Sequence, residues 1–254
     1  MFLKAFIVSA LLVSLICTSI AVSLGKRQHD AKGRLQMSKT IDALNSLPAG
    51  SALNEPPKDH WPEKWISDWT LYHVLPEDPI PPYADGKVPE RSRKGRGRSY
   101  YDWSKLSMIE EYYDFCVPIF VEGDNFTCRF LNVNNVSYFI TFDDRPSWTP
   151  PCCIFGKPWL PPSPSTISNT LPFYGKKPFH DREVNWYRNT PPAGELTFGY
   201  GFYADTGLPA EFFFNGQHGW ALQDFANLSL TTPPDAKWIL PKSCEGVKEC
   251  DLPH

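Results

Sequence analysis

From Trp61 onward, aromatic and β-branched residues recur in short runs, each closed by Pro, Gly, Asn or Asp, and several runs alternate apolar with polar positions. A period of two predicts strands, and no run sustains a helical period. The predicted strands are WTLYHVL (69–75), SYYDW (99–103), MIEEYYDFCVPIF (108–120), FTCRFLNV (126–133), VSYFITF (136–142), EVNWYR (183–188), ELTFGYGFYA (195–204), PAEFFF (209–214) and WALQDFANLSL (220–230). The clearest hairpin joins SYYDW to MIEEYYDF across 104–107. The pattern predicts an antiparallel all-β domain over 61–254.

Alternation within the runs predicts which side faces inward. In VSYFITF, Val136, Tyr138, Ile140 and Phe142 share a face opposite the parity of Asn135, which opens an Asn-x-Ser sequon. In WALQDFANLSL, Trp220, Leu222, Leu228 and Leu230 lie opposite the sequon residue Asn227. A glycan needs solvent, so both patterns assign these apolar positions to the interior. Leu196, Phe198, Tyr200 and Phe202 form a further inner face, with Gly199 and Gly201 outside, and Phe212 and Phe214 another. With 15% Phe, Trp and Tyr, this interior is more aromatic than filling a core requires. Large inward side chains on a curved sheet suit a half-barrel over an apolar pocket, with Trp103, Tyr138, Ile140, Phe198, Tyr200, Phe202, Phe212 and Phe214 as its expected lining. A filled core would use the same residues.

The first 60 residues differ in kind. Lys4, an apolar run over 5–20 and the small residues Ala21-Val22-Ser23 predict a secretory signal peptide over 1–23. Residues 24–60 read as a linker or leader with one short helix at SKTIDALNSL. Export changes the cysteine arithmetic: with Cys17 in the signal, Cys116, Cys128, Cys152, Cys153, Cys244 and Cys250 remain. Six thiols in an oxidising compartment favour three disulfides over a metal or redox site, and no Cys-x-x-Cys spacing occurs. Six cysteines allow about 15 pairings. Cys116 and Cys128 flank a Gly-Asp-Asn turn and are expected to join, which sends the adjacent Cys152 and Cys153 to Cys244 and Cys250. Sequons at Asn125, Asn135 and Asn227 agree with an exported glycoprotein.

Charge and motifs narrow the functions. A net charge of −3 gives no reason to expect nucleic acid. RSRKGRGR (91–98) gathers Arg91, Arg93, Lys94, Arg96 and Arg98 in what reads as a solvated loop, a candidate contact for an anionic membrane surface. No nucleophile elbow, zinc-protease helix, phosphate loop or EF-hand is present. His180, Asp181 and His218 have the chemistry of a metal or general-base site but not its spacing, and Asp143-Asp144 reads as a charged turn.

The stretches YYDWSKLSMIEEYY, CCIFGKPWLPPSP, VNWY and GELTFGYGFYADTGLPAEFF resemble the ependymin-related proteins over roughly residues 61–245. Two features depart from that pattern: Leu208-Pro209 stands where a cysteine is expected, and the vicinal pair 152/153 has no secure counterpart. The resemblance implies a secreted or lysosomal glycoprotein with a fold similar to that of bacterial lipoprotein carriers, an apolar ligand, calcium at acidic loops and no enzymatic activity. The first reading is therefore a secreted, lipid-binding extracellular glycoprotein, with the lysosomal lumen as the alternative location. Second comes a structural or cell-adhesion glycoprotein with a filled core, and third a hydrolytic or metal-dependent enzyme. Expected partners are an apolar small molecule or lipid, an anionic membrane surface and a second copy of the chain.

Overall fold

The computed structural model describes residues 59–120, 122–189, 197–216 and 218–252. The expected signal peptide, and the expected leader apart from Asp59 and His60, lie outside the described residues.

Among the described residues the alternating runs become eleven strands in one antiparallel sheet. They are β1 (Lys64–Val74), β2 (Arg93–Asp102), β3 (Ser107–Tyr112), β4 (Cys128–Val133), β5 (Val136–Thr141), β6 (Cys152–Gly156), β7 (Phe173–Phe179), β8 (Arg182–Arg188), β9 (Phe198–Tyr203), β10 (Pro209–Gly216) and β11 (Gly219–Ser229). Their order, β6-β5-β4-β3-β2-β1-β11-β10-β9-β8-β7, is two meanders joined where β1 pairs with β11. The outermost strands β6 and β7 do not pair, so the sheet is not closed into a barrel. The one α-helix among the described residues, α1 (Thr166–Thr170), is a single short turn. No helix there is long and apolar enough to cross a membrane.

One face of the sheet carries the main core. Trp65, Trp69 and Leu71 of β1, Tyr101 of β2, Phe130 of β4, Phe139 of β5, and Phe198, Tyr200 and Phe202 of β9 are all buried there. Close packing needs room on the facing strand. A Cβ on Gly97 would lie 1.9 Å from the Trp69 ring, and one on Gly95 would lie 2.5 Å from Phe115. The opposite face holds two smaller clusters. One surrounds Trp186, Phe213, Trp220 and Leu222; the other joins Tyr100, Ile109, Leu131 and Ile140 to Cys152 and Cys244.

All three disulfides are formed: Cys116–Cys128, Cys152–Cys244 and Cys153–Cys250. Because successive side chains of a strand point to opposite faces, Cys153 belongs to the main core and Cys152 to a cluster behind it. The C-terminal segment is stapled once on each face of β6.

Three expectations are corrected. The face assigned in VSYFITF is reversed: Phe139 enters the main core, while Tyr138 and Ile140 pack on the other side and Phe142 is exposed. Asn135 does not belong to the strand. With Asn134 it forms a two-residue hairpin turn at positive φ, 53° and 62°, so its exposure says nothing about strand parity. In β11 the parity changes at Asn227, which has φ 51° where the pairing with β1 shifts register. Trp220 and Leu222 therefore face away from the main core, Leu228 packs against it, and Leu230 is exposed.

The basic stretch is likewise part of β2 rather than a loop. Arg93 meets Asp124 at 2.6 Å, Arg96 meets Asp114 at 2.9 Å, Arg98 meets Asp68 at 2.5 Å and, just before the strand, Arg91 meets Asp78 at 2.6 Å. Lys94 lies over the Tyr72 ring. Ladder pairing and these carboxylates order a segment whose composition alone suggests a solvated tether.

Candidate functional site

The main-core face is not completely filled. A cavity of about 80 Å³ lies between Phe130 of β4 and Phe155 of β6 on one side and Tyr200 of β9, Phe212 and Phe214 of β10 on the other. Strands so far apart in the sheet order can line one space only if the sheet curls around it. Met108, Glu110 and Tyr112 of β3, with Gln223 and Phe225 of β11, complete the strand-borne wall. Trp61, just before β1, and Val117, Ile119, Trp159 and Pro162, from segments between strands, also contribute. A water needs roughly 10 to 15 Å³ of such space, so the cavity admits more than one.

Aromatic contacts set its shape. Tyr200 stacks on Phe212 at 4.7 Å, and Phe130 meets Phe155 edge to face at 5.0 Å. Trp61 meets Tyr200 edge to face at 5.7 Å. The indole N–H groups of Trp61 and Trp159 have no acceptor among the described residues.

One polar group of side chains interrupts this apolar wall. The Gln223 amide donates to Glu110 Oε1 and to the Tyr112 hydroxyl oxygen, both at 3.1 Å. Burial pushes the Glu110 carboxyl above its ordinary range, partly offset by the Gln223 hydrogen bond. Burial also pushes the Tyr112 hydroxyl well up, and the Glu110 charge adds to the effect. Among the described residues no Lys, Arg or His lines the cavity.

Of the expected lining, Tyr200, Phe212 and Phe214 border the cavity. Phe198 and Phe202 lie on the same face but are packed into the core, at 2% and 0% exposure. Trp103 sits in a 3-10 turn and packs against the core from outside the cavity. Tyr138 and Ile140 face the other way, for the reason given above. Glu110, Tyr112 and Gln223 escape the sequence reading because MIEEYY places a glutamate on each face, leaving no wholly apolar side to follow.

The residues considered for catalysis do not converge. His180 contacts Asp224 at 2.9 Å, whereas Asp144 accepts hydrogen bonds from Thr127. At His218 it is the backbone carbonyl that meets the His73 ring. Among the described residues no group of three His, Cys, Asp or Glu side chains is placed to hold a metal, so the calcium implied by the family resemblance finds no such donor set there.

Neither a family model nor a curated protein matches the chain. Solved structures similar to it include an uncharacterized conserved protein from Thermus thermophilus, at 12% identity and a TM-score of 0.42 over 74% of this chain and 91% of that one. A LolA superfamily protein from Nitrosomonas europaea is similar at 8% identity and a TM-score of 0.30, over 73% and 92%. The Mycobacterium tuberculosis lipoprotein LppX is similar at 10% identity and a TM-score of 0.31, over 79% and 97%. The functional reading rests on this chain's own cavity.

Proposed function

We propose that the protein is an exported carrier or receptor that holds a lipid or other apolar small molecule inside its curled sheet and has no enzymatic activity. The supporting observation is the aromatic cavity lined from both halves of one sheet. An apolar guest that displaces solvent from this aromatic wall gains the burial of its own surface and of the rings it covers.

Export is supported by three disulfides, which persist in oxidising compartments, and by the exposure of Asn125, Asn135 and Asn227 at the sequons. The extracellular space or a lysosomal lumen would suit such a glycoprotein, as in the ependymin-related proteins that its motifs resemble. Attraction to an anionic membrane would fall mainly to Lys94, since the neighbouring arginines carry carboxylate partners.

The test is native mass spectrometry of the secreted protein with lipid extraction, together with titration by phenylnaphthylamine, an uncharged fluorescent probe. A co-purifying apolar species, or saturable probe binding at one site per chain, is the expected result. Absence of both would leave a scaffold with a filled core and overturn the carrier reading.

A further inference from the structure

The polar wall of the cavity has a defined hydrogen-bonding character. Both amide N–H donors of Gln223 are directed, one to Glu110 Oε1 and one to the Tyr112 oxygen. Among the described residues that leaves Glu110 Oε2 with no donor assigned to it and the Tyr112 O–H with no acceptor. These two groups belong to alternate residues of β3 and therefore share a face. Together they offer one acceptor and one donor beside an aromatic chamber. A hydroxyl, which donates once and accepts as well, is their complement.

We infer that the cavity selects a hydroxyl-bearing lipid, an alcohol rather than a fatty acid, by holding its hydroxyl between Glu110 and Tyr112 while its hydrocarbon lies among the aromatic rings. This rests on the carrier reading and gives it a ligand class. An anionic head would meet Glu110 with no cationic side chain among the described lining residues. A fatty acid places a second carboxyl beside Glu110, and the pair escapes like-charge repulsion only if at least one of them holds its proton. An alcohol adds no ionisable group. An ether of the same chain can accept from Tyr112 but cannot donate to Glu110.

The test uses the intact secreted protein at neutral pH. Dodecanol, dodecyl methyl ether and dodecanoic acid compete for displacement of phenylnaphthylamine. Dodecanol is expected to displace the probe with at least about fivefold higher affinity than either competitor, the equivalent of one net hydrogen bond. Glu110→Gln removes the carboxyl charge and is expected to bring the acid towards the alcohol. Equal displacement by all three compounds in the unmodified protein would overturn the hydroxyl assignment while leaving the carrier reading intact. An acid preference would do the same. If the probe does not bind and no apolar species co-purifies, the carrier reading fails first. The comparison of competitors on the unmodified protein does not depend on any variant folding.

Discussion

Neighbouring carboxylates in this sheet have opposite fates because their partners differ. Burial raises Glu110, whereas Glu111 is held below its ordinary range: burial opposes ionisation there, but hydrogen bonds from Tyr113 and Lys237 and the Arg129 charge outweigh it. Glu211 lacks such partners. It is 1% exposed, neither oxygen finds a donor among the described residues, and Asp224 stands directly across the β10–β11 ladder. Burial, reinforced by the Asp224 charge, drives the Glu211 carboxyl well above its usual range. Asp224 is itself raised by burial, with His180 offsetting part of the effect. Because the folded Glu211 binds its proton more tightly than the unfolded one, its stability contribution is full below the ordinary carboxylate range and declines as pH rises through and above it. Glu211→Gln keeps the shape without an ionisable group. It is expected to stabilise the protein by about 1 to 3 kcal/mol at neutral pH, with the gain vanishing below about pH 4. Urea midpoints of the two proteins across pH check this; a gap independent of pH would refute it.

At the scale of elements, the edges of the sheet show what pattern reading can and cannot find. Central runs such as FTCRFLNV and PAEFFF announce themselves because both faces of a central strand must be packed or paired. The edge strands β6 and β7 do not: CCIFG lies within a proline-rich stretch, and FYGKKPF carries two lysines and a proline. Lysine and proline are what blunt an open edge, so the same residues that protect β7 conceal it. β6 is protected by the C-terminal segment. The Ile154 amide donates to the Lys248 carbonyl and the Cys250 amide to the Ile154 carbonyl, both at 2.8 Å, beside the Cys153–Cys250 staple. The disulfide chemistry was legible in the cysteine count, but the face of each vicinal cysteine was not. The sequons used to orient the strands lie in a turn and at a bulge. Replacing Cys153 and Cys250 together by serine should cost about 2 to 5 kcal/mol and speed hydrogen exchange at the Ile154 and Cys250 amides more than at central β1. Uniform acceleration across the sheet would mean that the staple supports the whole fold rather than this edge.

At the scale of the whole molecule, the curl of the sheet turns one face into both a core and a chamber, and the two differ residue by residue. β9 and β10 show the contrast. Phe202 is fully buried and meets Tyr187 at 5.9 Å, whereas Phe212 is only partly buried, stacks on Tyr200 and borders the cavity. Truncating a residue in a filled core creates a void, so Phe202→Ala should cost about 3 to 5 kcal/mol. Truncating a residue beside an existing void only enlarges it, and Phe212→Ala should cost distinctly less while weakening phenylnaphthylamine binding. Phe155→Ala, on the far half of the sheet, should weaken the same binding, because a guest held by a curled sheet touches both halves at once. Denaturation midpoints and probe affinities measured on the three variants separate the roles. If Phe212→Ala and Phe155→Ala lose as much stability as Phe202→Ala and leave probe binding unchanged, the two halves merely pack against each other and the chamber does not hold the guest.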